Sequence, residues 1–167
     1  AYQEEFNRDG FGNWAGGIDS PSITPDKKRL FASISGYGVA AWEMEEELEI
    51  GTVNRINGFS HDNTLEELDD VNGISFSKDG RILYVLGSGN NGNIRTFYTY
   101  RPYDVRTLRN YGSRLKTREG NSRGGVFNDD GSKFYTTGND TELHVYETYE
   151  PYRIVDARQT WSIDLSS

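Results

Sequence analysis

The sequence predicts an all-β chain of three four-stranded antiparallel blades of a β-propeller-like repeat, and three observations lead there. A nine-residue pattern occurs three times, at 23–31, 76–84 and 127–135, with its aspartates Asp26, Asp79 and Asp130 spaced 53 and 51 residues apart. Self-similarity at a fixed period marks stacked supersecondary units. Leu, Ile, Val and Phe form only about 22% of the 167 residues, so the 11 Tyr, 8 Phe and 3 Trp must supply much of the buried area. Finally, 19 Gly against 4 Pro imply many tight turns.

Along the chain, residues 1–16 read as an N-terminal arm, in which Phe6, Phe11 and Trp14 are candidate contacts. The first repeat, 17–69, has Asp26-Lys27 where the others have Asp-Gly, which leaves its hairpin type open. Its segment Glu43-Met44-Glu45-Glu46-Glu47-Leu48 has strong helix propensity, yet the repeat register expects strand followed by turn, and tertiary pairing commonly overrides propensity. A four-residue excess falls at 60–68, which reads as one or two helical turns capped by Ser60 or Asp62.

The second repeat, 70–120, predicts a strand at 73–77, a two-residue hairpin at Asp79-Gly80 with positive φ at both positions, and a strand at 81–86. A Gly/Asn turn follows at 87–93, then a strand at 94–100 that Pro102 stops, then a fourth strand at Leu108 to Leu115. The third repeat, 121–167, follows the same register through Phe127, Asp130-Gly131, Phe134-Tyr135 and Pro151-Tyr152.

Closed propellers have about four to eight blades, so three would leave two apolar faces bare. A homodimeric six-bladed ring, docking against other proteins, or capping by the termini would each cover them. The arm and three repeats carry net charges of −2, −7, +5 and −4. That alternation suits contact between unlike repeats, with Glu45, Glu46 and Glu47 on one side and Arg95, Arg101, Arg106 and Arg109 on the other. Solvated faces explain the same charges equally simply.

Chemistry is poorly signalled. The absence of Cys excludes disulfides and thiolate metal sites, and two His 83 positions apart argue against a His-rich centre. The start is acidic and polar, and no apolar run approaches a membrane span, so the chain reads as soluble, without signal peptide or membrane partner. Asp26, Asp79 and Asp130 occupy equivalent turns, where an Asp side chain bonds nearby backbone amides. His144 replaces Arg95 in its repeat, which predicts an exposed imidazole, and no nucleophile elbow is present. The expectation is therefore no catalytic residue, no cofactor and no metal. The Arg and Tyr residues of the second repeat could stack bases, but the acidic surroundings argue against nucleic acid as a partner. Trp42, Tyr98, Tyr100, Tyr103, Tyr149 and Tyr152 are candidate partner or glycan contacts; the tracts Tyr100 to Tyr103 and Tyr149 to Tyr152 fit either blade-corner packing or an aromatic ledge.

The second repeat reads Gly73-Ile74-Ser75-Phe76-Ser77-Lys78-Asp79-Gly80-Arg81-Ile82-Leu83-Tyr84, then an aromatic strand, then Pro102-Tyr103-Asp104-Val105. It resembles the propeller repeat of bacteriophage virion proteins, and the third repeat does so less fully. The resemblance implies a non-enzymatic virion component, such as a capsid decoration, tail or appendage protein, that assembles with itself or other virion proteins. The alternative it implies is a lectin-like module binding host-surface glycan. Localisation follows as virion for a viral chain and cytoplasmic otherwise.

Overall fold

The computed structural model describes residues 18–34, 38–47, 54–60, 70–88 and 94–166. Twelve strands form three antiparallel sheets of four, each a meander in chain order. Sheet 1 comprises β1 (Ile18–Ile23), β2 (Arg29–Ile34), β3 (Gly38–Glu43) and β4 (Asn54–Ser60). Sheet 2 comprises β5 (Asp70–Phe76), β6 (Ile82–Ser88), β7 (Ile94–Thr99) and β8 (Leu108–Leu115). Sheet 3 comprises β9 (Ser122–Phe127), β10 (Lys133–Gly138), β11 (Glu142–Glu147) and β12 (Arg158–Asp164). Helical structure among the described residues is one 3-10 turn, Val105–Thr107. The described sheets do not close into a ring. The arm with Phe6, Phe11 and Trp14, and the helical turn expected within 60–68 beyond Ser60, lie outside the described residues.

Where helix propensity and repeat register compete at Glu43 to Glu47, register wins. Trp42 pairs with Leu30 and Arg55 across the sheet and is buried, and the chain turns at residues 45–47. Burial of a large aromatic outweighs a preference worth tenths of a kilocalorie per residue.

The Asp turns differ from the two-residue hairpin expected. In sheet 2 the Gly80 amide donates to the Ser77 carbonyl (2.8 Å) and the Ser77 amide to that of Ile82 (2.9 Å), so the loop is longer. Only Gly80 has positive φ, at 69°. Asp79 Oδ1 accepts from the Arg81 amide (3.0 Å) and the Ser77 hydroxyl (2.6 Å), which satisfies a turn amide locally. Asp26 and Asp130 accept likewise from the amides of Lys28 (3.1 Å) and Ser132 (2.8 Å). Lys27 takes the glycine's place at φ 57°, so the first repeat makes the same kind of turn as the others.

A tyrosine seals two of these turns. Tyr103 donates its hydroxyl to the Lys78 carbonyl (2.6 Å) and its amide to that of Gly80 (2.8 Å). Tyr152 repeats this with Asp129 (2.7 Å) and Gly131 (2.8 Å). A Cβ on Gly80 or Gly131 would lie 2.3 or 2.4 Å from the ring, so each turn needs glycine for space as well as for φ.

Between sheets, Phe31 on β2 meets Phe76 of the next sheet at 4.8 Å, and Tyr84 on β6 meets Phe127 at 4.7 Å, centroid to centroid. Both Phe31 and Tyr84 are fully buried. Leu83, Val85 and Phe97 join Phe31, Val39 and Ala41 in one core, while Leu86, Ile94 and Leu115 join Phe134, Tyr146 and Ile154 in the other. Tyr135 on β10 occupies the equivalent repeat position, in a row Val126–Tyr135–Val145–Trp161 across sheet 3. That row has no following sheet among the described residues, and Val126 and Trp161 are exposed. At the other end of the stack, Ala32, Ile34, Ala40 and Trp42 form a buried cluster, whereas Ile23, at the repeat position of Phe76 and Phe127, is 44% exposed.

Two outcomes follow from these packing devices. Replacing Gly80 by Ala should cost about 2–3 kcal/mol in urea unfolding, because strained φ and ring overlap add; a loss below about 0.5 kcal/mol would show that the tyrosine seal is not rigid. Asp104 holds Arg106 through two contacts, Oδ1–Nε 2.7 Å and Oδ2–Nη2 2.8 Å, and this bonding keeps its carboxyl below the ordinary carboxylate range. A depressed folded pKa means its stabilisation is complete above the unfolded value of about 3.9 and is lost as pH falls through the folded value. Asp104→Asn should therefore destabilise the protein at pH 7, with the difference from the parent shrinking as pH drops below about 4.

Candidate functional site

An antiparallel meander of four strands puts the β9–β10 type of turn and the third-to-fourth-strand connection at one end, and the remaining hairpin and the link to the next sheet at the other. The first end carries the Asp turns and the tyrosine tracts. There Tyr103 and Tyr152 are committed to the turns, while Tyr100 and Tyr149 are largely exposed and Tyr98 is partly so. A small cleft of about 140 Å³ lies between Ile82 and Thr96 of sheet 2 and residues 150–154. It is below the size usual for ligand pockets. Among the other residues named from sequence, Trp42 and Arg95 are buried rather than presented at a surface. Glu45, Glu46, Glu47, Arg101, Arg106 and Arg109 are exposed, with Glu47 paired to Lys27 and Arg106 to Asp104.

The opposite end of sheet 3 holds a different chemistry. His144 lies on β11, two residues from Tyr146, with its side chain 1% exposed. The exposed imidazole expected from the repeat is thus a buried one, because residues 144 and 146 face the interface with sheet 2. His144 Nε2 is 2.8 Å from Asp140 Oδ2, in the β10–β11 turn. Its Nδ1 is 3.0 Å from Gln159 Nε2, which donates, so the imidazole proton sits on Nε2 and points to Asp140. Glu142 Oε2 stands 3.8 Å from Nδ1.

Glu119 completes the group from the connection between sheets 2 and 3. Its side chain is 0% exposed, and its Oε1 accepts from the hydroxyls of Ser122 (2.9 Å) and Thr136 (2.8 Å). Its Oε2 has no hydrogen-bond donor and lies 3.8 Å from His144 Nε2. Gly138 makes room for it: a Cβ there would meet Glu119 Cγ at 2.4 Å and the Asn121 carbonyl at 2.5 Å. Beside it, Tyr146 accepts from the Arg118 amide (3.2 Å), and burial pushes its phenol up to about 12. Asp140 and Glu142 are 36% and 37% exposed, so solvent reaches the cluster from their side.

Asp140, Glu142 and His144 form the one grouping of acidic and imidazole groups among the described residues whose ligand atoms lie within 4.8 Å of one another. Alternation along Asp140-Thr141-Glu142-Leu143-His144 was the available signal for it. Glu119 carried none, since only the packing of two sheets brings it 25 residues back along the chain to the imidazole. The arrangement can hold a proton between carboxylates, take one from a water molecule at the exposed side, or hold a cation.

No protein-family model matches the sequence, and no curated protein matches it. Solved structures do. The periplasmic gluconolactonase of Pseudomonas aeruginosa superimposes with a TM-score of 0.54 at 18% identity over 89% of this chain and 42% of its own. A putative 6-phosphogluconolactonase from Bacteroides uniformis does so with a TM-score of 0.60 at 13% identity, over 95% of this chain and 44% of its own. The chain thus spans less than half the length of either, and the likeness is one of fold. These neighbours overturn the expected kinship with bacteriophage virion proteins. With it go the non-enzymatic virion role and its glycan-binding alternative, because the folds that match are those of gluconolactonase-type enzymes, and nothing in them supports a virion location. No helix among the described residues is long and apolar enough to cross a membrane.

Proposed function

We propose that this chain belongs to a lactonase-type propeller, its three sheets serving as blades, and that it takes part in hydrolysis of a cyclic ester. The observation that carries the reading is the buried imidazole of His144 flanked by Asp140, Glu142 and Glu119 at the end of sheet 3, on a fold like that of two lactonases. Lactone hydrolysis needs a group that removes a proton from water as it attacks the carbonyl carbon, and a donor for the ring oxygen as the C–O bond breaks. The carboxylates reachable from solvent, Asp140 and Glu142, supply the acceptor. His144 orients Asp140 through Nε2, and Gln159 holds the imidazole in that tautomer. Positioned proton transfer of this kind is worth about 10²–10⁴-fold in rate. The expected outcome is turnover of aldonolactones above the spontaneous rate, followed by pH-stat titration, with Asp140→Asn lowering kcat/KM at least about 100-fold while circular dichroism stays unchanged. No turnover on a lactone panel, or full activity in Asp140→Asn, would remove the assignment.

The bare face of sheet 3 belongs to the same reading. Phe31 and Tyr84 are each covered by a phenylalanine of the following sheet, and Tyr135, half-buried, holds the third such place with no following sheet among the described residues. Ile23 of a second copy has the matching repeat position and is exposed, so two copies join head to tail, sheet 3 of one against β1 of the other, the rest of that sheet's outer face, Ala32, Ile34, Ala40 and Trp42, being already buried. Both repeats are acidic, so salt should strengthen the contact by screening their repulsion. Sedimentation should show a concentration-dependent dimer or ring that grows with added salt and is lost in Trp161→Ser. A monomer at about 100 μM with high salt, above the Kd range of ordinary specific contacts, would refute it.

A further inference from the structure

We infer that Arg123 binds the carbonyl oxygen of the substrate and the carboxylate of the ring-opened acid. The inference deepens the lactonase reading and rests on it for the choice of ligand. β1, β5 and β9 are the first strands of their sheets, and each carries a bulge. Asn72 and Arg123 are the unopposed residues of β5 and β9, at equivalent places in their repeats, and β1 shifts register between Asp19 and Ser22. A bulge re-aims a side chain, and bulges are common beside active sites. Here the three meet. Ser20, held at φ 47°, donates its hydroxyl to the carbonyls of Asn72 (3.2 Å) and Arg123 (3.2 Å). A Cβ on Gly73 would lie 2.3 Å from the Arg123 carbonyl oxygen, so β5 closes on the same point. A positive φ outside glycine persists where the surrounding structure over-determines it. All three sheets thus fix the backbone of one exposed arginine.

The side chain is fixed as well. Arg123 Nε donates to Asn139 Oδ1 at 2.6 Å, and among the described residues Nη1 and Nη2 take part in no hydrogen bond or ion pair. Arg29, Arg106 and Arg153 each face an acid instead. Asn139 is followed by Asp140, whose Oδ2 lies 2.8 Å from His144 Nε2. Consecutive side chains of one turn therefore hold a guanidinium and the carboxylate that takes a proton from water, with no ion pair between the two. As water adds to the lactone carbon, the carbonyl electrons move onto oxygen. When the ring C–O bond breaks, the ring oxygen leaves as a hydroxyl with the proton taken from water, and the acid formed loses its own proton to become a carboxylate. Negative charge developing beside Asp140 and Glu142 is repelled unless a cation stands near. The terminal nitrogens of the arginine fork supply that cation with directed, charge-assisted hydrogen bonds, and their anchoring spares the cost of ordering them when the ligand arrives.

The test uses the whole chain and sodium gluconate, an aldonate, in isothermal titration at low salt. One site per chain is expected. Arg123→Gln should weaken binding about tenfold or more, the worth of a hydrogen bond to a charged group, and added salt should narrow its difference from the parent. Arg123→Lys, which keeps the charge without the fork, should bind between the two. Arg118→Gln, a neighbouring exposed cation, and Arg101→Gln, one at the opposite end, should leave affinity unchanged, with circular dichroism the same in all. Absence of saturable binding, equal affinity in the parent and Arg123→Gln, or a loss in Arg118→Gln as large as that in Arg123→Gln overturns the inference, even where lactones are turned over. Gluconate binding that depends on Arg123 in this way supports it even where no lactone is turned over, in which case the lactonase reading alone falls.

Discussion

Sheets 1 and 2 of this protein each depend on the next sheet to bury an aromatic that their own strands cannot cover. Phe31 beneath Phe76 and Tyr84 beneath Phe127 are the two contacts of this kind, and the residues around them divide into two separate cores rather than one. A twisted four-stranded sheet has two faces and can be stable only when both are apolar and covered, or one is polar. Here the faces are apolar in a chain with few aliphatic residues, so the ring contacts between sheets carry much of the burial. The tyrosine seals at Gly80 and Gly131 act upon the same contacts, since Tyr103 packs on Phe76 at 5.3 Å and Tyr152 on Phe127 at 5.2 Å.

That dependence also creates the polar cluster. Where sheets 2 and 3 diverge towards the connecting segment, the interface changes from rings to Thr136, Ser122, Glu119 and His144, all of them buried side chains with specific partners. Placing charge in such a position costs stability unless each group is satisfied, and among the buried side-chain atoms of the cluster Glu119 Oε2 is the one without a hydrogen-bond partner. The outer edge, where Asp140 and Glu142 are partly exposed, is the part of the cluster that solvent reaches. A fold likeness to lactonases alone would leave the chemistry unspecified, since one fold supports many activities. The proposed reading therefore rests on the particular residues of the cluster and not on the likeness.

The strands and their register were legible because the repeat fixes three parallel readings of one pattern. Leu108–Leu115 was placed correctly as a fourth strand, and β7 begins at Ile94 as expected. The Asp turns were legible as turns but not in their type, because Asp79-Gly80 occurs in both short and longer loops and the choice lies in where the following amides bond. The kinship drawn from the motif was misplaced for a related reason. Turn residues and alternating aromatics are what any such sheet needs, and they say little about which proteins share it.

Position along the strands, turn chemistry and the alternation of apolar residues are properties of neighbouring residues, and the amino-acid sequence determined them without help. The burial of His144 and Arg95, at equivalent places in two repeats, is a property of the neighbouring sheet, as is the approach of Glu119 to His144 from 25 positions away. Tertiary structure alone decided these, because whether a polar side chain faces water or an imidazole depends on which surface packs against it, and that surface is brought by residues distant in the chain.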